Sequence, residues 1–419
     1  MEEIKHNIEV IIVGGGFGGI RTALELEKKN LPNTHITLIS DKPHFEYNPA
    51  LYRYVTGNSA IEVCIPLTEI FKNKNITMVD DKIATLNRST QELGGVTGKT
   101  YHYDHLVLAL GSETTYFGIA GLKENSFGMK TVSEALHLKE QITKTLFACK
   151  ENAANKADQT RDANFVIIGA GPTGVEMAGR LIEYARRVAR DIDLDPSLIS
   201  VSVIEGASKI LPSMPAKFTD VIEEHLRMLG VNFFLNRVIE RQEVEDVYLK
   251  DMQMKTRTLI WTAGARANAL YEAWGFPVDK RGRVEVDPYL HTKNDSKIFV
   301  VGDAAITTYS GYAQTAFYDG KYVARVIAAT VLDKLPPVYS PKQPVNAIPA
   351  GEGWAGVLIN SFGLNMRFYG VIGWWFRRAA DLRSFIIVLP FFKAVKIFWG
   401  GCLNETCNIC AVETVHAHD

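Results

Sequence analysis

A glycine-rich turn between an apolar run and a helical pattern constrains the fold of this chain most strongly. Residues 10–25 read VIIVGGGFGGIRTALE, in which Gly14, Gly16 and Gly19 have the spacing G-x-G-x-x-G. In this pattern the first glycine allows a tight turn, the second lets the backbone approach a pyrophosphate, and the third lets helix and strand pack closely. The residues before the turn predict a buried parallel strand, and those after it predict a helix over 20–29. Together these features predict a dinucleotide site of the Rossmann type.

A second turn repeats every part of the first. Residues 165–179 read FVIIGAGPTGVEMAG, with Gly169, Gly171 and Gly174 at the same three positions. Two independent matches, each between a predicted strand and a predicted helix, indicate two dinucleotide sites. A held flavin and an exchangeable nicotinamide would explain such a pair, because a hydride can then pass from one to the other.

An acidic residue at the end of the next strand completes such a site by binding a ribose hydroxyl. In the second unit Glu205 has this place, and the glycine that follows it, instead of an arginine, favours NADH over NADPH. In the first unit Ser40 occupies the expected strand end, and Asp41 follows one residue later. We predict Asp41 as the ribose ligand, with Ser40 as the alternative.

Length and composition limit the setting of the protein. With 419 residues the chain is expected to form two or three domains. Its 46 basic and 47 acidic side chains leave no overall charge that would favour nucleic acid as a partner. Five cysteines, a small and odd number, and the charged start MEEIKHN favour a reducing, cytoplasmic setting.

Two further strand-and-turn segments resemble the ends of the nucleotide-binding units in two-dinucleotide flavoproteins. DHLVLALGS, residues 104–112, resembles the closure of the FAD-binding unit and contains Gly111. LIWTAG, residues 259–264, resembles the matching closure of the NAD-binding unit and ends at Gly264. Both segments therefore support the division into a flavin unit and a nicotinamide unit.

A third segment returns to the flavin unit after the nicotinamide motifs. KIFVVGDAA, residues 297–305, is an apolar strand that ends in Gly302 and Asp303. It resembles the FAD-binding element of this superfamily, in which the aspartate contacts the ribityl chain near the pyrophosphate. An ordinary helix N-cap is the alternative role of Asp303.

With these motifs in order, the sequence resembles the type II NADH:quinone oxidoreductases, the single-chain, non-pumping NADH dehydrogenases of respiratory chains. The resemblance extends over nearly the whole chain and includes PHFEYNPALYRYVTG (43–57), YDHLVLALGSETTYFGIAG (103–121) and GYAQTAFYDGKYVA (311–324). In that family an Ala-Gln pair just before a helix lies beside the flavin at the quinone pocket. The matching residues are Ala313 and Gln314.

The resemblance implies catalytic roles for four residues. The family commonly has a second glutamine four residues after Gln314, and Tyr318 stands there instead; its hydroxyl can still hydrogen-bond a quinone carbonyl. Glu176 matches a glutamate that reaches toward the nicotinamide and the flavin, and Lys130 matches a lysine near the flavin ring. Each role has a structural alternative. Gln314 and Tyr318 could form a helix start packed under a loop, and Glu176 could simply complement a helix N-terminus. Lys130 could be a solvated lysine.

The positions of the cysteines bear on two related functions. A flavin disulfide reductase needs a cysteine pair near the first turn, where Cys64 stands alone. A sulfide:quinone reductase shares the fold and needs cysteines that face the flavin, whereas Cys149 precedes the second turn and Cys402, Cys407 and Cys410 cluster at the end. This relative and a non-catalytic, NADH-dependent redox sensor remain the alternative functions.

The three C-terminal cysteines have a C-x4-C-x2-C spacing that is reminiscent of iron–sulfur or zinc ligation, with His416 and His418 nearby. A fourth cysteine is absent, and only nine residues follow Cys410. We therefore predict no metal site and a reduced, partly buried tail.

The segment 362–399 is rich in tryptophan and phenylalanine and is interrupted by arginines and lysines. No window in it reaches the ~18 uncharged apolar residues of a spanning helix. A helix after Pro390 would place Lys393 and Lys396 on one face and aromatic residues on much of the rest, which suits an anionic membrane surface. The alternative is burial in a homodimer interface or in the core. We expect peripheral attachment to the cytoplasmic face of the cell membrane, where a lipid-soluble quinone is the acceptor.

The predicted fold class is α/β, with two Rossmann-like units. Residues 1–120 and 288–345 form the FAD-binding domain, residues 121–287 an inserted NAD(H)-binding domain, and residues 346–419 an amphipathic, membrane-facing segment. The polar stretch 148–164 is predicted as a surface loop. The predicted reaction moves a hydride from NADH to non-covalent FAD and then two electrons to a quinone, without proton pumping.

Overall fold

The computed structural model describes residues 7–361 and 364–400. The first part of the chain forms β1 (Ile8–Val13), α1 (Phe17–Glu27), β2 (Thr34–Ser40), β3 (His44–Glu46), α2 (Leu51–Val55), β4 (Cys64–Pro66), α3 (Leu67–Ile70), β5 (Thr77–Asp80), β6 (Ile83–Asn87), β7 (Glu92–Gly95), β8 (Thr100–His102), β9 (His105–Leu108) and β10 (Ser112–Thr114).

The middle part forms α4 (Leu122–Asn125), α5 (Val132–Glu151), α6 (Lys156–Asp162), β11 (Asn164–Ile168), α7 (Pro172–Asp191), β12 (Ser200–Glu205), α8 (Ala216–Leu229), β13 (Val231–Leu235), β14 (Ile239–Gln242), β15 (Asp246–Leu249), β16 (Met252–Lys255), β17 (Thr258–Trp261), β18 (Ala265–Ala267) and α9 (Leu270–Ala273). The last part forms β19 (His291–Thr292), β20 (Asp295–Val300), α10 (Ala313–Val331), β21 (Asn346–Pro349), β22 (Ala355–Ser361), β23 (Leu364–Phe368), α11 (Gly370–Val388) and α12 (Phe391–Phe398).

Two parallel sheets organise the molecule. The larger sheet has the strand order β19-β20-β9-β1-β2-β5, in which β19 runs antiparallel and the other strands are parallel. The smaller sheet has the order β13-β12-β11-β17 and is parallel throughout. Because the larger sheet takes strands from before and after the smaller one, the interrupted order is present. The α/β fold class with two Rossmann-like units is confirmed, while the residue bounds of the domains stay predictions.

The strands that lead into the two glycine-rich turns, β1 and β11, lie inside these sheets. Val10 and Ile12 in the first and Val166 and Ile167 in the second are fully buried, which explains their unbroken apolar sequences. The helix predicted over 20–29 begins three residues earlier, at Phe17, because Gly16 is the N-cap. The first turn of α1 therefore includes the end of the glycine motif.

A short antiparallel ribbon joins the two sheets. Strand β10 pairs with β18, with Ser112 opposite Ala267 and Thr114 opposite Ala265. The chain passes toward the smaller sheet along β10 and returns from it along β18. The two crossings are thus hydrogen-bonded to each other.

The prediction of a surface loop over residues 148–164 is wrong. Helix α5 continues to Glu151, and α6 follows after a short turn. The side chain of Asn155 caps α6 by accepting hydrogen bonds from the backbone N–H groups of Ala157 and Asp158. Asp162 at its end is fully buried and pairs with Arg161. Capping and a buried ion pair thus order a stretch whose composition alone suggests a solvated loop.

The C-terminal helices have one face against the protein and another toward solvent. Helix α12 buries Ala394 and Ile397 but leaves Phe391 and Phe392 58% and 86% exposed. Lys393 points inward and pairs with Glu69, which is 1% exposed. The helix predicted after Pro390 is present, with Lys396 exposed three residues after Lys393; Lys393 is engaged by the protein, and the pair is therefore not available as a whole to a membrane surface. None of the helices within the described residues is long and apolar enough to cross a membrane.

Candidate active site

The two glycine-rich turns have the same local geometry. Gly14 and Gly169 have φ angles of +114° and +103°, which residues with side chains rarely adopt. A Cβ at Gly14 would collide with the carbonyl oxygen of Ala109, and one at Gly169 would lie 2.9 Å from the Cα of Ala263. Both positions therefore require glycine.

In each turn the third glycine is tightly packed, whereas the second glycine faces open space. Gly19 and Gly174 pack directly against the carbonyl oxygen of the first glycine in the same turn. At Gly16 and Gly171, by contrast, no described atom lies within 4 Å of an added Cβ. These open glycines are also the N-caps of α1 and α7. Each turn thus leaves free space in front of a helix N-terminus, where an anionic pyrophosphate is favoured.

A cavity of 440 Å³ lies beside the first turn and is the candidate active site. Its wall includes Ser40 from the end of β2 and Thr173 from the first turn of α7. Nine of the predicted site residues also line it: Gly14, Gly16, Asp41, Gly111, Lys130, Glu176, Gly302, Asp303 and Ala313.

Other predicted residues are not part of this wall. These are Gly19, Gly169, Gly171, Gly174, Glu205, Gly264, Gln314 and Tyr318. The helix that starts at the second turn nevertheless contributes Thr173 and Glu176 to the cavity. The two predicted dinucleotide sites therefore approach each other at the start of α7.

Two neighbours position Asp303 at the cavity wall. The hydroxyl of Ser112 donates a hydrogen bond of 2.5 Å to Asp303 Oδ2, and Lys130 Nζ lies 3.5 Å from the same oxygen. The side chains of Lys130 and Asp303 are 31% and 28% exposed, so solvent weakens this ion pair. The arrangement holds one cation and one anion together at the cavity.

Glu205 holds the second turn through both carboxylate oxygens. Oε2 accepts a hydrogen bond from the backbone N–H of Ala170 and Oε1 from that of Ala207, each at 2.8 Å. Ala170 directly follows Gly169, so the carboxylate ties the glycine turn to the end of β12. Each carboxylate oxygen has a second lone pair, and ribose binding is therefore compatible with this structural role.

Glu176 belongs to a buried ionic network that links α7, α11 and α2. Arg377 Nη1 lies 3.3 Å from Glu176 Oε1, and Arg377 Nε lies 3.3 Å from Asp381 Oδ1. Asp381 also accepts hydrogen bonds from Arg53 Nη1 at 2.7 Å and from the hydroxyl of Tyr47 at 2.8 Å. All five side chains belong to buried residues. The network therefore connects the cavity wall to the C-terminal helices.

Burial sets the charge state of Glu176. It raises the pKa of this carboxyl to about 7, and Arg377 opposes the shift only in part, because its guanidinium also serves Asp381 and two backbone carbonyl oxygens. Burial also acts to raise the pKa of Asp381, but Arg53 and Arg377 together hold it below its usual range. Glu176 can therefore hold or release a proton near neutral pH.

We expect Glu176→Gln to remove a pH-dependent loss of stability. The carboxyl has a pKa of about 7 in the folded protein and an ordinary value of 4.5. Its protonation stabilises the folded state fully below the lower value, and this contribution disappears as the pH rises to the higher one. At 1.36 kcal/mol per pH unit the loss is about 3 kcal/mol. Urea unfolding at several pH values across this window should show a steeper decline for the wild type than for the variant; parallel curves would contradict the raised pKa.

The side chain of Gln314 is engaged outside the cavity. Its Nε2 donates to the carbonyl oxygen of Val345 at 2.9 Å, and its Oε1 accepts from the Val345 N–H at 3.2 Å. The amide thus pairs with the backbone as a neighbouring strand would. Tyr318 packs against Tyr339 with ring centroids 5.8 Å apart. The assignment of Gln314 and Tyr318 to a quinone pocket stays a prediction.

Asp319 was missed by the sequence analysis. It is fully buried and accepts hydrogen bonds from the Gly302 N–H at 3.0 Å and from the Tyr339 hydroxyl at 2.6 Å. Burial raises the pKa of this carboxyl to about 6. Asp319 thereby fixes the turn that presents Asp303. The sequence contains one signal for this residue: Asp319 is a single acidic residue on an otherwise mostly apolar face of α10.

Comparison with known proteins then identifies the family. The pyridine nucleotide-disulphide oxidoreductase family matches residues 8–320. A type II NADH:quinone oxidoreductase of Mycobacterium tuberculosis is 31% identical over 351 residues, which are 80% of this chain and 75% of that protein. The chain belongs to the type II NADH:quinone oxidoreductases. Another member, from Staphylococcus haemolyticus, is 29% identical over 333 residues, or 76% of this chain and 81% of that protein.

Solved structures show that the fold is shared more widely than the family. NDH2 from Plasmodium falciparum, in complex with NADH, has a TM-score of 0.82 at 17% identity and covers 96% of this chain and 100% of that one. The sulfide:quinone oxidoreductase of Aquifex aeolicus has a TM-score of 0.74 at 21% identity, with the same coverage. At these identities the likeness concerns the fold alone, so the cysteines must distinguish the two chemistries.

The described cysteines lie away from the cavity. Cys149 is a fully buried free thiol whose pKa is raised to about 11 by burial. Cys64 is also buried. Neither residue lines the cavity. Within the described residues no group of histidine, cysteine, aspartate or glutamate side chains could hold a metal ion; Cys402, Cys407, Cys410, His416 and His418 lie outside them.

Proposed function

We propose that this flavin-dependent NADH:quinone oxidoreductase carries out its chemistry in the cavity beside Glu176. The observation that carries the proposal is the meeting of the first glycine turn, the Gly302–Asp303 turn and the start of α7 in that cavity. FAD, when bound, accepts a hydride from NADH and delivers two electrons to a quinone. The protein itself binds, orients and supplies charge.

The cavity fits the dinucleotide part of FAD at the first turn. The open side of Gly16 and the N-terminus of α1 suit the pyrophosphate. Asp41 or Ser40, at or just after the end of β2 in the cavity wall, is proposed to bind the ribose. The remaining wall is proposed to hold the flavin end through Gly111, Gly302, Asp303 and Ala313. NADH is proposed to bind at the second turn through Gly169, Gly171, Gly174 and Glu205.

Two charged side chains are proposed to act on the chemistry. Lys130 places a cation at the cavity beside Asp303, where it would favour negative charge on a reduced ring. Glu176, with a pKa of about 7, is proposed to exchange protons, because reduction of a quinone to a hydroquinone takes up two of them. Gln314 and Tyr318 remain the proposed contacts of the quinone. To bind it, the Gln314 amide would release the backbone of Val345 and hydrogen-bond the quinone instead.

Anaerobic stopped-flow absorbance tests this function. Mixing the yellow holoenzyme with NADH should bleach the flavin band rapidly, and a short-chain quinone should then restore it, with turnover in the usual range of ~1 to 10³ per second. NADPH should bleach it far more slowly, because its 2′-phosphate would meet the carboxylate of Glu205. Bleaching that a quinone does not reverse would reject the proposed acceptor while leaving the NADH site intact.

The C-terminal helices are proposed to dock on the cytoplasmic face of the cell membrane. Their outer faces expose a set of large apolar side chains, which we call the aromatic face: Val371, Ile372, Trp375, Phe376, Phe391, Phe392 and Trp399. Large exposed apolar side chains on two helices that contact each other are typical of a membrane or protein interface. A homodimer interface is the competing use of this surface.

We expect the double variant Phe391→Ser, Phe392→Ser to lose most of its binding to lipid vesicles. The two rings are 58% and 86% exposed, so their loss should change the fold little. Leu335→Ser is the matched control, because Leu335 is 98% exposed but lies outside the aromatic face. Vesicle co-sedimentation measures binding, and turnover with a water-soluble quinone should be kept. The dimer interface would be supported instead if the double variant sedimented with vesicles as the wild type does, but eluted as a monomer where the wild type elutes as a dimer.

A further inference from the structure

A second cavity, of 210 Å³, shares Tyr52 with the candidate active site but otherwise has different walls. It lies between α2, α7, α11, the end of α12 and the turn that follows β21. Its charged and aromatic lining comprises three arginines, two glutamates and three tryptophans: Arg53, Arg180, Arg378, Glu62, Glu352, Trp374, Trp375 and Trp399. Nothing in the function proposed above uses this cavity.

Two of the arginines have donors that remain unused. Arg53 and Arg180 are 7% and 9% exposed, and Arg53 Nη2 and Arg180 Nε are buried without a hydrogen-bond partner among the described residues. Their other donors are engaged: Arg53 Nη1 with Asp381, and Arg180 Nη1 with Glu352 at 3.2 Å. A buried guanidinium N–H without an acceptor is costly. A ligand that brings acceptor oxygens to these guanidinium groups would offset this cost.

The charges of the lining favour an anionic ligand. Three arginines face two glutamates, and the side chain of Glu352 is 63% exposed, so solvent screens much of its charge. Glu62 is buried, but its oxygens already pair with Arg53 Nε at 2.9 Å and Arg378 Nη1 at 3.6 Å. The planar fork of a guanidinium group matches a phosphate well. Asp381 also pairs with Arg53 and Arg378, so the anionic oxygens of a ligand would add charge-assisted hydrogen bonds that a neutral quinone carbonyl would not match in strength.

The position of the cavity indicates the source of the phosphate. Trp375 and Trp399, which are 54% and 72% exposed, belong both to the cavity lining and to the aromatic face. Basic pockets between helices at a membrane surface bind the head groups of anionic lipids, and tryptophan favours the level of those head groups. We propose that this cavity binds the phosphate of an anionic membrane lipid. The proposal rests on the membrane docking of the proposed function.

Arg180 offers a clean test because its partners, Asn58 and Glu352, are outside the network of Glu176. Arg180→Gln removes a buried donor from the cavity. Arg187→Gln is the matched control, since Arg187 is on the same helix and lies 3.7 Å from Glu352 but does not line the cavity. Both variants remove one positive charge from α7, so general attraction to anionic lipid is equally reduced.

The measurement is calorimetric titration of the full-length, FAD-loaded protein with dihexanoyl phosphatidylglycerol below its micelle concentration. We expect Arg180→Gln to weaken binding by about tenfold or more, Arg187→Gln by less than about threefold, and Arg180→Lys to give an intermediate loss. Dihexanoyl phosphatidylcholine should bind more weakly than the glycerol lipid, because its choline group cancels the phosphate charge. Bleaching by NADH should be unchanged in all three variants, which separates this proposal from the catalytic one.

Three results would overturn the proposal. The first is equal binding of the anionic lipid by Arg180→Gln and Arg187→Gln, which would indicate general surface attraction. The second is binding of inorganic phosphate as tight as that of the lipid and equally dependent on Arg180, which would make the ligand a free anion. The third is Arg180-dependent binding of a short-chain quinone without binding of the lipid, which would make the cavity a substrate site.

Discussion

Gly16→Asp is expected to yield a folded but colourless protein that no longer binds FAD. Gly16 is the extended N-cap residue of α1, and an added Cβ meets no described atom within 4 Å. Aspartate is a favourable N-cap, so the helix should not be weakened. Its carboxylate would instead occupy the anion site in front of α1 and repel the pyrophosphate. Repulsion of about 4 kcal/mol, the Coulomb energy of two charges 4 Å apart near a protein surface, corresponds to a ~10³-fold loss of affinity.

The same change in the second turn provides the matched comparison. Gly171 is the N-cap of α7 and has the same open surroundings. Gly171→Asp should therefore remain yellow, with an unchanged ratio of flavin to protein absorbance, yet fail to bleach with NADH. Dithionite should still bleach it. If Gly16→Asp kept its flavin, or if both variants lost it, the assignment of one turn to each cofactor would be wrong.

Arg377→Met is expected to lower the free energy of unfolding by about 3–5 kcal/mol, the usual cost of leaving a buried charge without its partner. Arg377 contacts Glu176 and Asp381 at 3.3 Å each and donates to two backbone carbonyl oxygens. Methionine fills part of the space but satisfies none of these acceptors. Removal of the cation should also raise the pKa of Glu176 further, since Arg377 acts to lower it.

Arg383→Met on the same helix is the control. Arg383 is exposed, and its replacement should change stability by no more than about 0.5 kcal/mol. Urea unfolding of the FAD-loaded proteins, followed by far-UV circular dichroism, measures both changes. A loss below about 1 kcal/mol for Arg377→Met would show that the network contributes little, and that the two carboxyl groups find other partners or protons.

The parts of the site that depend on short stretches of backbone were predictable from the sequence. The positive φ of Gly14 and the contact of Gly19 with the same turn are local requirements, so their spacing in the sequence carries the information. The glycine predictions thus rest on geometry within about ten residues. The interruption of the FAD-binding unit was predicted from the order of the motifs, because the Gly302–Asp303 motif returns after the second turn.

The contacts that cross the molecule could not be predicted in this way. Arg377 was interpreted as an interruption in an aromatic segment, yet it pairs with Glu176 on another helix. The Gln314 amide was expected at the quinone, and it pairs with the backbone of Val345. Lys393 was expected to share a helix face with Lys396 toward an anionic membrane surface, and it pairs with buried Glu69. In each case tertiary packing supplies a partner that no local pattern specifies.

The ribbon of β10 and β18 bears on how this chain folds. Strand β9 must find β20 in the larger sheet, although Leu108 and Asp295 are separated by the whole smaller sheet in sequence. The ribbon brings the two ends of the intervening segment side by side. If that segment folds first, the loop that must close between β9 and β20 becomes short, and the entropy lost on closure falls. Disruption of the ribbon should therefore slow folding more than it weakens the native state.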